Sequence, residues 1–320
     1  MAAIGAYRPV REDAGRVAER LGATRDWVLS RTGVETRCVA GPDESVVDMA
    51  GLAAREALAA AAVPADAVDA VLVATSTNPQ PCPAVAPQVA AGLGLRVAAF
   101  DINIACAGFC HALHVARSLI GAGGCATVLV VGADRMLDLV DPVDRATAPV
   151  FADGAGAVLV TATDGPPGVG PVVWGSDGAR ASALEVRPPL FAALGPLSPT
   201  PALRMDGLAV TRWACSTVPA VVRDIMSATG IGWDDVAALV PHQANGRLIR
   251  RIATRLDVPD GVVVADDVRF TGNTSSASVP LALHGLLADG RIRGGRWAVL
   301  VGFGSGLAYA GQAVRIPEPP

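Results

Sequence analysis

The sequence predicts an α/β protein built from two duplicated halves, residues 1–164 and 165–320. Three observations carry this. Strand-like runs rich in Val and Leu alternate with longer stretches of helical periodicity. Ala67–Thr75 and Asp234–His242 read alike, each an acidic lead into a buried strand, and their ends lie 167 residues apart, at 75 and 242. A helical pattern that opens at Cys106 and closes near Gly123 recurs at the same offset, opening at Asn273 and closing at Gly290.

Taken in order, Ile4–Pro9 reads as a first strand that arrives early, and Val68–Thr75 as the first fully buried one. Its apolar residues run continuously rather than alternating, which fits a largely parallel sheet covered on both faces. After the Cys106 helix, Thr127–Gly132 is the next buried strand, matched by Ala298–Gly302 once a few residues are inserted after Gly290. Ala155–Val160 completes the first half. Turn residues then cluster in Asp164-Gly-Pro-Pro-Gly168, which marks the boundary. Near the end, Gly302-Phe-Gly304-Ser305-Gly306 might be taken for a dinucleotide loop, but Leu307 breaks the pattern and Tyr309–Ile316 alternates like a strand. A tight hairpin whose backbone N–H groups are free to face an oxyanion fits better.

Composition narrows the function classes. Hydrophobic residues make up 51% of the 320, charged residues 18% and aromatics only 4%, so the core is built of Ala, Val and Leu. A net charge of −4 gives no basic footprint for nucleic acid. Six cysteines, at 38, 82, 106, 110, 125 and 215, lack the spacing of a zinc ribbon or a disulfide framework, and reduced cytoplasmic thiols are expected. No basic-then-apolar leader opens the chain, and no apolar stretch is long enough to span a membrane.

Cys106 stands where a small-residue turn meets the start of a helical pattern. Unpaired N–H groups and the helix dipole at such a place favour a thiolate, so Cys106 is a candidate nucleophile. Of the four histidines, His242 alone follows a buried strand directly, and Asn273 has the look of a helix N-cap. Ligands of α/β sheets gather at strand ends and helix starts, and the duplication brings Cys106, His242 and Asn273 towards a shared centre. Cys106, Cys110, His111 and His114 do not make a metal site. Positions 106 and 114 of one helix lie about 12 Å apart at about 1.5 Å per residue, too far for one ion.

Cys106 in Ala-Cys-Ala-Gly-Phe, His242 in Pro-His-Gln-Ala-Asn and Asn273 in Gly-Asn-Thr-Ser-Ser-Ala-Ser-Val-Pro together resemble the β-ketoacyl-acyl carrier protein synthase III family of the thiolase superfamily. The resemblance also takes in Asp26-Trp27 to Arg31-Thr-Gly33, Asp144-Arg145, Asp153-Gly-Ala-Gly156 and the Gly302–Gly306 turn, and so spans nearly the whole chain. It implies a thiolase-like, five-layered αβαβα sandwich of two duplicated halves, the first carrying the nucleophile and the second His and Asn. It implies a homodimer, with acyl-CoA and an acidic acyl carrier protein as partners and no bound cofactor or metal. Cys106 would take an acyl group from acyl-CoA, the oxyanion held by the backbone N–H groups of Cys106 and Ser305. His242 and Asn273 would donate to the thioester oxygen of a malonyl group on the carrier protein as it loses CO₂. Trp27, Arg31 and Arg145 would bind CoA, and Cys82, Leu208, Thr211 and Phe303 would shape the acyl pocket. Arg247, Arg251 and Arg255 recur at every fourth position, and with Arg212 and Arg250 they offer a basic face to the carrier protein.

Two departures point to a starter other than acetyl, as in fatty acid or polyketide initiation. Cys82 stands where acetyl-selective relatives place a Phe that reaches into the partner's pocket, and Thr211 replaces an aromatic, so the pocket should be enlarged. The apolar stretch Leu184–Met205, with Leu190, Phe191, Leu194 and Leu197, would lid a longer acyl chain. Two other readings stay open: acyl transfer to an oxygen or nitrogen nucleophile without condensation, and a papain-like Cys-His-Asn hydrolase. The flanks of Cys106 and the duplicated core disfavour the hydrolase.

Overall fold

The apolar runs form two five-stranded sheets. The computed structural model describes residues 1–61, 63–190 and 200–317. Its strands are β1 (Ala3–Tyr7), β2 (Val10–Asp13), β3 (Thr36–Val39), β4 (Ala70–Ala74), β5 (Ala98–Ile102), β6 (Thr127–Arg135), β7 (Asp153–Thr161), β8 (Val173–Ser176), β9 (Leu184–Arg187), β10 (Ala202–Met205), β11 (Val236–Pro241), β12 (Val263–Val264), β13 (Trp297–Gly304) and β14 (Ala308–Arg315). The helices are α1 (Ala14–Arg20), α2 (Arg25–Thr32), α3 (Val46–Ala61), α4 (Val85–Gly92), α5 (Gly108–Gly121), α6 (Gly207–Thr229), α7 (Gly246–Leu256), α8 (Val268–Thr271) and α9 (Ser278–Ala288).

The first sheet runs β1-β7-β6-β4-β5 and the second β8-β14-β13-β11-β12. The two orders are the same order repeated. In each, two neighbouring pairs are parallel and two antiparallel, β5–β4 and β4–β6 with β6–β7 and β7–β1 in one, β12–β11 and β11–β13 with β13–β14 and β14–β8 in the other, so that β7 and β14 each run against the other four strands of their sheet. The sheets are therefore mixed rather than largely parallel. A continuous apolar run looks the same whichever way its neighbour points, and the β13–β14 hairpin needs only a short turn where a parallel pair needs a crossover.

Five layers follow from the buried contacts. Helices α3 and α4 cover one face of the first sheet, where Met49, Ala53, Ala57, Val85 and Val89 pack on Val71, Val73, Leu129 and Leu159. Helices α5 and α9 fill the middle, with Phe109, Leu113, Val279, Leu283 and Leu286 packed against strands of both sheets. Helices α6 and α7 cover the outer face of the second, where Val218, Val222, Ile225 and Ile252 meet Leu239, Val299 and Val301. This is an αβαβα sandwich. The middle helices carry the most consequence for the site, because both begin at its centre and truncating a fully buried side chain such as Phe109 costs about 3–5 kcal/mol.

The repeat is offset by 167 residues at the helix ends, where Gly123 and Gly290 take the left-handed conformation that stops α5 and α9. At the helix starts the offset is different. A 3-10 turn at Ala105–Ala107 precedes α5 and one at Ser275–Ala277 precedes α9, and each opens on a residue with positive φ, Ala105 at 45° and Ser275 at 52°. These turns lie 170 residues apart, so the counterpart of Cys106 is Ser276 and not Asn273. Asn273 sits three residues upstream, on the approach to the turn.

Candidate active site

Cys106 occupies the middle of its 3-10 turn, two residues ahead of the first residue of α5, and is 4% exposed. The β13–β14 hairpin presses on it. A Cβ on Gly304 would lie 2.7 Å from the Cys106 Cβ and 2.9 Å from its Sγ, so only glycine permits this approach. The backbone N–H groups of Cys106 and Ser305 lie near enough to the sulfur to pull its pKa down, though neither forms a hydrogen bond with it. The Ser275 hydroxyl also lies close, outside good hydrogen-bond geometry, and has no other partner among the described residues. Burial nevertheless dominates and pushes the Cys106 thiol up to about 11, against the downward pull of these donors. The expectation of a resting thiolate is therefore corrected. A helix start favours negative charge, but here burial strips most of the water from the sulfur.

His242 is the first residue beyond β11 and is 2% exposed. Its N–H donates to the Val301 carbonyl at 2.7 Å, which continues the ladder to β13 and fixes the backbone. The ring stands edge-on to Phe303 at 5.3 Å, and Nδ1 lies 2.7 Å from the Ser278 hydroxyl at the start of α9. Burial lowers its pKa to about 3, so the imidazole is neutral across the physiological range.

Asn273 is not a helix N-cap, since α9 is capped at Ala277. Its Oδ1 accepts from the Ser275 N–H at 2.9 Å, closing a small turn, and its Nδ2 points to the Ala244 carbonyl at 3.4 Å. Its backbone is stitched to the 150–152 segment: Asn273 N–H donates to Val150 and the Ala152 N–H to Asn273, each at 2.9 Å. The buried Arg37 braces that segment from behind, donating to the Ala148 and Phe151 carbonyls and pairing with Glu12.

Cys106, His242 and Asn273 line one chamber of about 50 Å³, together with Val150, Phe151, Leu184, Met205, Val210, Thr211, Asn245 and Phe303. A wider mouth of about 430 Å³ shares Val150, Met205, Thr211, Asn245 and Leu248 with the chamber and adds Arg31, Arg145, Leu208, Arg247 and Arg251. Trp27 stands beside this mouth with two guanidinium groups over its ring, Arg31 at 4.8 Å and Arg145 at 5.2 Å from the centroid. Arg145 also donates to the Leu21 and Gly22 carbonyls, which holds it against Trp27.

The pocket residues divide. Thr211 and Phe303 line the chamber. Leu208 does not: it belongs to the mouth and is 60% exposed, because it lies in the first turn of α6 facing outward. Cys82 does not line it either. It is exposed on a loop pinned by its own Asn78–Pro83 and Gln80–Asn78 hydrogen bonds. Nor do the described residues of one chain enclose an enlarged cavity. Of the stretch expected to form a lid, Phe191, Leu194 and Leu197 lie outside the described residues.

The five arginines Arg212, Arg247, Arg250, Arg251 and Arg255 gather on one groove between α6 and α7. Among the described residues none of them pairs with a carboxylate, although Arg247 donates to the Ser30 carbonyl and Arg255 to the Cys215 carbonyl. No three His, Cys, Asp or Glu side chains among the described residues gather as metal ligands. Sequence reasoning passed over Asn245, the N-cap of α7 that lines both chamber and mouth. Its position beside His242 was the available signal.

Comparison with known proteins places these observations in a family. Residues 100–178 match the family model described as 3-oxoacyl-[acyl-carrier-protein] synthase III, and residues 226–316 match the one for its C-terminal part. The chain is 44% identical over 318 residues to the mycobacterial β-ketoacyl-[acyl-carrier-protein] synthase III of Mycobacterium marinum, covering 98% of this chain and 95% of that one. It is 43% identical over 320 residues to β-ketoacyl-[acyl-carrier-protein] synthase III of Streptomyces lividans, covering 99% and 94%. Among solved structures, the priming β-ketosynthase from the R1128 polyketide biosynthetic pathway aligns with a TM-score of 0.97 at 42% identity, covering 100% of this chain and 96% of that one.

Proposed function

The chain belongs to the β-ketoacyl-acyl carrier protein synthase III family of condensing acyltransferases, and from that premise we propose that Cys106, His242 and Asn273 are its catalytic residues. One observation supports this above all: the three side chains, far apart in sequence, open on the same small chamber. In the first step the Cys106 sulfur attacks the acyl-CoA thioester carbon. The oxyanion is held by the N–H groups of Cys106 and Ser305, and CoA leaves as its thiol with the proton that Cys106 gives up. A malonyl thioester on the carrier protein then enters. His242, neutral through burial, and Asn273 donate to its thioester oxygen, so loss of CO₂ leaves an enolate rather than a free carbanion. That carbon attacks the acyl group, and Cys106 departs and recovers a proton.

Trp27, Arg31 and Arg145 are the proposed nucleotide site, the ring and guanidinium planes offering stacking surfaces to an adenine. The arginine groove of α6 and α7 is the proposed dock for an acidic carrier protein. Strand β5 leaves the first sheet with an open edge, and Phe100 on it is 41% exposed, which supports pairing with a second copy. A homodimer would also give the exposed Cys82 loop a place, at the partner's acyl chamber, and a non-acetyl starter then rests on the room that Cys82 leaves there. The chain divides into its halves at 164/165, within the loop between β7 and β8. No helix among the described residues is long and apolar enough to cross a membrane, and a cytoplasmic enzyme is the proposed setting.

The test is intact-mass analysis after exposure to a panel of acyl-CoAs, followed by malonyl-carrier protein and product analysis. Wild type should gain one acyl group and then lose it to product. Cys106→Ala should gain none, and an adduct on that variant refutes the assignment.

A further inference from the structure

We infer that Ser278 is a positioning residue that fixes the tautomer of His242, so that Nε2 carries the proton facing the chamber. This rests on the role proposed for His242 and extends it to a residue outside the three.

The case is a count of hydrogens. The Ser278 hydroxyl has two polar neighbours, His242 Nδ1 at 2.7 Å and the Gln243 backbone N–H at 3.2 Å, and all three groups are buried. An amide N–H can only donate, so towards Gln243 the Ser278 oxygen is an acceptor. The hydroxyl proton then has one place to go, His242 Nδ1, the only other polar group in its hydrogen bonds among the described residues. Were Nδ1 protonated instead, two N–H groups would point at the same oxygen, and the Ser278 proton would be buried with no acceptor, an arrangement that leaves the desolvation of that proton uncompensated. With Nδ1 accepting and the ring neutral, the single imidazole proton is on Nε2, which forms no hydrogen bond with the described residues while the ring lines the chamber. His242 then enters the reaction as a donor and not as a base.

The backbone enforces this arrangement. Ser278 is the first residue of α9, delivered by the 3-10 turn whose opening residue has positive φ, and Gln243 follows His242 directly. The Gln243 side chain is itself locked, donating to Pro241 and Ala265 and accepting from the Val268 N–H, so the N–H that orients Ser278 cannot swing away.

The deciding measurement is ¹⁵N NMR of the full-length protein labelled at histidine, the His242 signals being identified by their loss in His242→Gln. Wild type should show Nε2 protonated and Nδ1 bare, and a protonated Nδ1 overturns the inference without recourse to any variant. In Ser278→Ala the Nδ1–H form should appear. Cys106 acylation by acyl-CoA should stay within about threefold of wild type while malonyl decarboxylation falls about 10- to 100-fold, by analogy with the loss of partners that orient metal-ligating histidines. Equal losses in both steps, or an unchanged tautomer, count against Ser278. If wild type acylates but never decarboxylates malonyl thioesters, the condensing role of His242 fails while the NMR result still decides the tautomer.

Discussion

Asp134 and Ser276 clamp the two halves together at the centre of the molecule: one carboxylate oxygen of Asp134 accepts from both the backbone N–H of Ser276, at 2.9 Å, and its hydroxyl, at 2.6 Å. The other oxygen accepts from Ser76 N–H and from the hydroxyls of Thr75, Ser76 and Thr77, so the end of β4, the end of β6 and the turn before α9 meet on one buried carboxylate. Ser276 is the counterpart of Cys106 in the second half. The clamp thus holds the turn that presents Ser275 to the sulfur.

Ser276→Ala should cost about 1–3 kcal/mol, the usual price of a lost buried hydrogen bond to a charged group. Asp134→Ala should cost more, since it orphans two backbone N–H groups as well as hydroxyls. Urea unfolding of both variants checks the order, and an Asp134→Ala no less stable than Ser276→Ala contradicts the clamp.

Gly304→Ala tests the approach of the hairpin to the nucleophile. A methyl group placed 2.9 Å from Sγ must push either the hairpin or Cys106 aside. Overpacking of this kind costs about 1–3 kcal/mol in stability. Acylation should fall at least about tenfold through misplacement of the Ser305 N–H, as for loss of an oxyanion donor. Single-turnover acylation followed by mass is the measurement.

The buried titratable groups set two pH windows. The folded pKa of His242 is about 3 against an ordinary 6.5, so between these values the unfolded chain takes up a proton that the folded one does not. Stability is therefore lost as pH falls through that window, and His242→Gln should lose less between pH 7 and pH 4.5 in urea titrations. Cys106 acts at the other end. Its thiol is raised from 9.0 to about 11, so its share of stability is kept below about 9 and lost as pH climbs towards 11. Alkylation of Cys106 by iodoacetamide, read by peptide mass, should accordingly keep rising past pH 9, and a plateau below pH 8 contradicts a resting thiol.

The arginine groove can be dissected because only part of it borders the mouth. Arg247 and Arg251 line both groove and mouth, whereas Arg212, Arg250 and Arg255 line the groove and not the mouth. Arg250→Glu with Arg255→Glu should raise KM for carrier-bound malonate about tenfold and leave acylation by free CoA thioesters within about twofold. Arg247→Glu should impair both. Equal loss of both activities in the Arg250/Arg255 pair removes the groove from carrier docking.

Much of this was legible in the sequence, and what was not has physical causes. The duplication and the strand ends follow from periodicity and spacing, and the meeting of Cys106, His242 and Asn273 from the motifs around them, all of which are written in the linear sequence. Asp134, by contrast, reads as a charge at a strand end, and its partners stand about 58 and 142 positions away, so its burial shows only in three dimensions. Ser278 hides among the small residues of a helix start for the same reason. The raised thiol of Cys106 was misjudged because the helix dipole is written in the local sequence while desolvation is not. The three-residue slip between Asn273 and the turn was invisible because strand ends and helix stops both keep the 167-residue offset.

Cys82 carries the last expectation. Its loop is exposed, held in shape by its own hydrogen bonds, and absent from the chamber of its own chain, where about 50 Å³ is open beside Cys106. If a second copy brings this loop to the chamber, the side chain at 82 sets how far an acyl group extends from the sulfur. Cys82→Phe would then fill space, an aromatic ring covering roughly 150–250 Å² of contact surface. Acylation rates across acetyl-, isobutyryl- and hexanoyl-CoA should shift towards acetyl by tenfold or more. The same variant in a dilution series, followed by sedimentation, separates the routes: a shift in selectivity with an intact dimer places Cys82 at the partner's chamber, whereas unchanged selectivity removes it from the acyl pocket.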